Sequence, residues 1–457
     1  MKLKSLLLLL ISLSYIQNLE ITGKTLVLKD GESTLDGTKL SSNPSDGVSY
    51  SNQVVSITQS GTYILSGSLN GQVSVSVPEK VVLVLNGVTI TSNTHGINIL
   101  KAFEIDQSSP LNANSFSVNL DNVGAKIIIA DGSENTVKGA NSGEHDGAIH
   151  TSVSLLITGE SKGDGVLNVI SSGEGIETNM HLFFNGGIIK VIANDDAINA
   201  NEENKSIVYV KGGKLYINGG LGQEGDGIDS NGYIIVDGGE IVSSAKAGLD
   251  SGLDSEHTAI NGGTIFAVGS ALDYASDKSK QPTMNLIFKA NIEPSNVLTI
   301  KDSDGNEIMS YCANTANFIS GSERKTFNAA IVSHPSFKSG GVYHIFLDGS
   351  QLGYTGNQPG IDWSQGFPGG GMPWGGNQGN PWGGNQGGNQ QWPGGNQQWP
   401  GGNQQWPGGN QQWPGGNQQW PGGNQQPGGN QQNDGQIKTD FILGNSATAF
   451  SGIQKVL

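Results

Sequence analysis

Acidic and amide residues recur at a regular interval through the middle of the chain. Short units reading EGIE at Glu174, DAIN at Asp196, DGID at Asp226, AGLD at Ala247 and SALD at Ser270 each join an aliphatic residue to polar neighbours. Weaker relatives are HGIN at His95 and GAIH at Gly147. If Ile176, Ile198, Ile228, Leu249 and Leu272 point inward on successive strands, the next residues point outward as a column: Glu177, Asn199, Asp229, Asp250 and Asp273. A second column, two residues before the aliphatic, contributes Glu174, Asp196 and Asp226, with Asp146, Asp195, Glu224 and Asp254 nearby. Carboxylates stacked one strand spacing apart, about 4.8 Å, repel one another unless a cation lies between them. Oxygen donors, in a chain whose single thiol is Cys312, favour Ca²⁺ as that cation. The same Asp and Asn residues also serve as turn formers on a solvated edge, and the pattern alone leaves that alternative open.

Catalysis makes different demands. A lyase acting on uronates needs a base beside calcium, commonly arginine or lysine. The chain has one arginine, Arg324, while Lys190, Lys211, Lys214 and Lys246 lie on or beside strand-like runs. Ordinary exposed lysines lack the lowered pKa such a base requires. A glycosidase needs two carboxylates on one face, and the neighbours Asp195 and Asp196 would point to opposite faces of a strand. His95, His145, His150, His181 and His257 are scattered among turns, with no common cluster visible in the sequence. With 24 basic against 40 acidic residues, a net charge of −16, the chain is no phosphate-tracking nucleic-acid binder.

The elements that must position these residues are strands. Alternating β-branched runs such as Val73 to Val77, Val81 to Leu85 and Lys126 to Ala130 are separated by Gly, Asn and Asp. A Gly-Gly turn feeding an apolar strand recurs as NGGIIKVIA, KGGKLYING, DGGEIVSSA and NGGTIFAVG. The leading glycines Gly186, Gly212, Gly238 and Gly262 are 26, 26 and 24 residues apart. Two markers at one period indicate stacked units that cannot close a core alone. The fold class expected is all-β: a right-handed parallel β-helix over residues 19–282, its first part a cap. A small β-rich terminal element follows over 283–356 and covers the last coil.

The ends read differently. Residues 1–18, two lysines followed by a leucine block, match a secretory signal peptide, so an extracellular or cell-surface location is expected, with no membrane span in the mature chain. Asn204-Lys205-Ser206 is a glycosylation sequon. Residues 357–436 are rich in Gly, Asn, Gln, Trp and Pro and repeat WPGGNQQ with Trp392, Trp399, Trp406, Trp413 and Trp420 seven apart. Pro-Gly-Gly in each unit forbids a continuous helix, and the segment carries too little aliphatic surface to offset chain entropy. A disordered tail is expected, on which the tryptophans could stack on sugar rings or associate with other tails. No role is assignable to residues 437–457.

With its Gly-Gly strands, its DGID-type units and the run IVSHPSFKSGGVYHIFLDG from Ile331 to Gly349, the chain resembles a family of secreted carbohydrate-binding proteins whose type member is clostridial. The resemblance covers about residues 25 to 355. It implies a pectate-lyase-like parallel β-helix, bound calcium, and attachment to cellulose and pectin-type polymers without established catalysis. The expected function is therefore a secreted, calcium-dependent, non-catalytic polysaccharide binder. Alternatives are a pectate-lyase-type enzyme on the same fold, and a structural surface or matrix adhesin assembled through the Trp-rich tail.

Overall fold

Alternation along the strands decides which side chains go inside. In Gln72–Ser76 the two valines are buried while Ser74 is half-buried and Ser76 exposed. The same period of two recurs in Ala125–Ile129 and Val166–Ser171. The computed structural model describes residues 21–105, 116–140, 143, 145–246, 250–270, 273–359 and 436–456. Residues 1–18, Leu249, Leu272 and the five repeat tryptophans lie outside the described residues. The described residues all belong to one compact unit, and residues 360–435 lie outside them.

Among the described residues the chain is all-β, interrupted only by the single-turn 3₁₀ segments Leu120–Asn122 and Ala313–Thr315. Three parallel ladders run through its first two thirds. One joins Lys24–Leu28, Gly61–Asn70, Val81–Thr91, Ala125–Ile129 and Leu155–Gly159, then the first halves of Leu182–Ile192 and Ile207–Asn218. A second joins Glu134–Gly139, Val166–Ser171, Ile188 to Ile192, Lys214 to Asn218, Glu240–Ser244 and Thr264–Gly269. The third joins Val54–Ile57, Gln72–Ser76, Ile97–Lys101, Ile149–Thr151, Ile176–Thr178 and Ile198–Ala200, then the starts of Ile228–Val236 and Leu253–Ile260. Each strand pairs with the strand one repeat later, so the chain visits the ladders in turn and buries an aliphatic core between them.

The glycine pairs mark the bend between the first two ladders. Gly187, Gly213, Gly239 and Gly263, the second of each pair, have φ between +79° and +96°. A Cβ on Gly213 would lie 3.0 Å from the carbonyl carbon of Gly186 on the preceding coil. Glycine is required there by backbone conformation and by close stacking together.

Both ends of the stack carry antiparallel strands. Thr34–Leu35 folds back on Lys24–Leu28, and Val48–Ser51 covers Val54–Ile57, in the part read as a cap. At the other end Thr264–Gly269 pairs with Phe327–Ser333 in antiparallel fashion, and that strand pairs with Thr283–Ile292. The terminal sequence has a structural role that its composition did not disclose. Ala447–Lys455 lies parallel to Thr283–Ile292 and antiparallel to Gly356–Pro359, so strand structure extends past the composition boundary at residue 357. Phe441, Phe450 and Ile453 are buried in the second core, where Phe450 packs against Tyr354 and Phe441 with ring centroids 5.0 Å away in each case. Residues 436–456 thus complete the terminal element.

Candidate functional site

The third ladder builds the acidic column. Ile97, Ile149, Ile176, Ile198, Ile228 and Leu253 stack in register, all fully buried. The residues that follow them, Asn98, His150, Glu177, Asn199, Asp229 and Asp254, stack in the same register on the other face. Glu177, Asn199 and Asp229 therefore sit in one column as their spacing predicts. Asp250 does not. The rung after Asp229 is Asp254, because the chain carries two GLD units four residues apart and the later one enters the ladder. Its register is held by Gly227 N–H donating to the Ser251 carbonyl at 3.0 Å and by the Ser243 hydroxyl donating to Gly252 O at 2.7 Å. Asp250 lies before that strand, its Oδ2 accepting from Gly225 N–H at 3.2 Å.

Carboxylates also act as turn formers, one coil to the next. Asp146 Oδ1 accepts from Glu174 N–H at 3.1 Å, and Asp196 Oδ1 from Asp226 N–H at 2.6 Å. Asp226 Oδ1 caps Ser251 N–H, and Asp273 Oδ2 accepts from Ser255 N–H at 2.8 Å. These bonds do not use all the oxygens. Asn199, 8% exposed, donates through Nδ2 to Glu174 Oε1 (2.7 Å) and Asp196 Oδ2 (3.3 Å). The other oxygens of that pair, Glu174 Oε2 and Asn199 Oδ1, are buried without a hydrogen-bond partner. One coil further on, carboxylate oxygens of Asp226, Asp229 and Asp254 lie within 4.8 Å of one another.

Crowding of this kind holds protons. Burial, then the neighbouring Glu177, pushes Glu174 up to about 9. Burial with Asp254 beside it pushes Asp226 up to about 9, and burial with Asp196 beside it pushes Asp229 up to about 8. Asp196 is pushed up to about 7, chiefly by burial. Asp254 and Asp273 are both raised by burial and hydrogen-bond to each other. Buried, unpaired carboxyls stay neutral unless a cation offsets the cost of ionising them. All donors are hard oxygens, so the set suits Ca²⁺.

Glu177 stands apart although it shares the column. Its Oε1 lies 2.8 Å from His145 Nδ1 and accepts from Asn201 Nδ2 at 3.1 Å. Its Oε2 accepts from the N–H groups of Asp146 (3.1 Å) and Gly147 (3.0 Å) and lies 3.1 Å from His150 Nδ1. Burial alone would raise this carboxyl, but His150, the Gly147 N–H and His145 outweigh it and pull it down to about 2. The structure also gathers histidines that the sequence leaves scattered: His145 and His150 stack with ring centroids 4.5 Å apart, and His95 lies 5.1 Å from His150.

The lysines weighed as bases are otherwise occupied or exposed. Lys190 Nζ donates to Asn317 Oδ1 at 2.7 Å, Lys246 donates to the Gly222 carbonyl, Lys214 lies 3.5 Å from Glu240, and Lys211 is exposed. The lysine sequence reasoning missed is Lys325, 9% exposed, which donates to the Gly219 and Ser244 carbonyls, the latter at 3.2 Å. Burial lowers it to about 7. Its signal was weak, since it comes from the non-periodic terminal element. Asn204 is exposed in a turn with φ +59°, accessible to modification. No helix among the described residues is long and apolar enough to cross a membrane.

No curated protein matches the chain. Among solved structures the chain is similar to a polysaccharide lyase-like protein from C. thermocellum, determined as a gadolinium derivative. The two are 23% identical over 55% of this chain and 91% of that one, with a TM-score of 0.39. The model of the carbohydrate-binding domain-containing protein family matches residues 51–304, more than half of the 457 residues, and the chain belongs to that family.

Proposed function

We propose that the protein is a secreted, non-catalytic polysaccharide binder that depends on Ca²⁺ held along the acidic column. The observation that carries this reading is the pair of buried, unpartnered oxygens, Glu174 Oε2 and Asn199 Oδ1, set among carboxyls that burial keeps protonated. Glu174, Asp196 and Asn199 would hold one ion, and Asp226, Asp229 and Asp254, with Asp273 adjoining, another. Glu177 stands apart from these oxygen-only sets, because its two oxygens face the ring nitrogens of His145 and His150. Bound Ca²⁺ would supply the positive charge that lets an acidic protein meet the carboxylates of a uronate polymer.

The chain's own part is to present these rungs at a fixed repeat. Parallel ladders with rungs about 4.8 Å apart form the walls of what we read as a right-handed β-helix, a rigid and repetitive face suited to a repetitive polymer such as pectin or cellulose. Export through residues 1–18 belongs to the same proposal. Binding of the full chain to polygalacturonate and to cellulose, with calcium present or chelated, tests it. Retention lost on chelation is expected; retention indifferent to chelation refutes the calcium part.

Lys325 favours a second reading, a lyase, because it is the lysine whose pKa is brought near neutrality. Its Nζ is spent on two backbone carbonyls, a clamp between the terminal element and the coils. Unsaturated sugar ends released from polygalacturonate would establish that reading; their absence is expected.

A further inference from the structure

Upstream of the carboxylates, the same face of the stack changes its chemistry from oxygen to nitrogen. His95 precedes Ile97 by two residues and His150 follows Ile149, so the units that carry Asp and Glu downstream carry histidine here. His145 Nδ1, His150 Nδ1 and a Glu177 carboxylate oxygen all lie within 4.8 Å of one another. His150 is 2% exposed, and its Nδ1 has no hydrogen-bond partner although Glu177 Oε2 is 3.1 Å away. Separations of 2.8 and 3.1 Å between ring nitrogens and carboxylate oxygens approach the roughly 3.4 Å that separates two ligands of one tetrahedral ion with bonds near 2.1 Å.

We propose that His145, His150 and Glu177 form a second cation site, selective for a borderline divalent metal of the zinc type and distinct from the calcium ligands. Two imidazoles and one carboxylate are a donor set that hard Ca²⁺ does not favour and Zn²⁺ does. The ion takes the place of the imidazole protons that otherwise meet the carboxylate. Support around the site is already built. Asp146 and Gly147 N–H groups orient Glu177, Asn201 donates to its Oε1, and His95 Nδ1 lies 2.8 Å from the Gly147 carbonyl beside the His150 ring. Outer contacts of this kind fix the orientation of metal ligands. Three protein ligands leave a fourth position, and His145, 40% exposed, brings the site to solvent. The site thus offers that position to water or to an oxygen of a bound sugar acid.

The test uses the full chain in millimolar calcium chloride, titrated with Zn²⁺ by calorimetry and with Co²⁺ followed by its visible absorption. One equivalent of Zn²⁺ should bind despite the calcium, and Co²⁺ should give the intense bands of a four-coordinate site. His145→Ala and His150→Gln should each weaken Zn²⁺ binding at least tenfold, while Asp304→Asn, at an exposed position of the terminal element, leaves it unchanged. His145 is on the surface, so its variant keeps the fold and decides the matter if His150→Gln does not. Zn²⁺ displaced by calcium, binding indifferent to His145→Ala, or no binding at all would overturn the proposal.

Discussion

Replacing Asp229 with asparagine separates the two states of the acidic column, because the substitution should act in opposite directions with and without calcium. In metal-free protein, burial and Asp196 hold the Asp229 carboxyl up to about 8 against an ordinary 3.8. At pH 7 it is mainly protonated when folded and ionised when unfolded, so folding must take up a proton. About three pH units at ~1.4 kcal/mol each set a ceiling of about 4 kcal/mol. The side chain is only partly shielded and its neighbours relax, so a realised cost of about 1–2 kcal/mol is reasonable. Asparagine has nearly the same shape and no proton to gain. In chelator the variant should therefore be more stable by about 1–2 kcal/mol, a rise of a few degrees in melting temperature. With calcium the order inverts: the native chain gains the binding free energy, and the variant, one ligand short, binds at least tenfold more weakly. Thermal melts of both proteins in chelator and in calcium measure all four quantities. A variant less stable than the native chain in chelator would refute the reasoning, since it would mean that Asp229 is ionised and paired without metal.

The whole column gives a related pH dependence. Glu174, Asp226 and Asp229 are raised above their unfolded values, so the native state holds protons that the unfolded chain releases. Metal-free stability should be fully present below about pH 4 for these groups and decline as pH rises towards 9, while calcium affinity climbs over the same window; melts in chelator from pH 5 to 9 check the sign. Phe450→Ala should cost about 3–5 kcal/mol by urea denaturation, because that ring is fully buried between Tyr354 and Phe441. Gly213→Ala should cost about 1–3 kcal/mol, combining a left-handed φ of +94° with the contact on Gly186, and differential scanning calorimetry would show it.

Periodicity made the coils legible. The Gly-Gly spacing placed the bends, and the inward Ile176, Ile198 and Ile228 stack as read because a core-facing rung tolerates little but a β-branched or aliphatic residue. The reading slipped where the pattern occurs twice in succession. Both AGLD and SGLD satisfy it, and only backbone pairing to Gly227 and the Ser243 hydroxyl selects the second, bringing Asp254 rather than Asp250 to the column. The histidines were visible at the matching positions of the HGIN and GAIH units. Their convergence was not, since His95 and His145 are fifty residues apart and meet only when coils stack. Lys325 and the strand Ala447–Lys455 come from segments with no period, where nothing in the local sequence states what they will pack against.

If calcium on the acidic column holds a polysaccharide without cleaving it, binding and the absence of product must appear in the same mixture. The direct measurement mixes the full chain with polygalacturonate in calcium and in chelator, following bound protein and unsaturated product together. Binding in calcium that disappears in chelator, is weakened by Asp229→Asn and yields no product is the predicted result. Binding that persists in chelator, or product that accumulates in calcium, would contradict it.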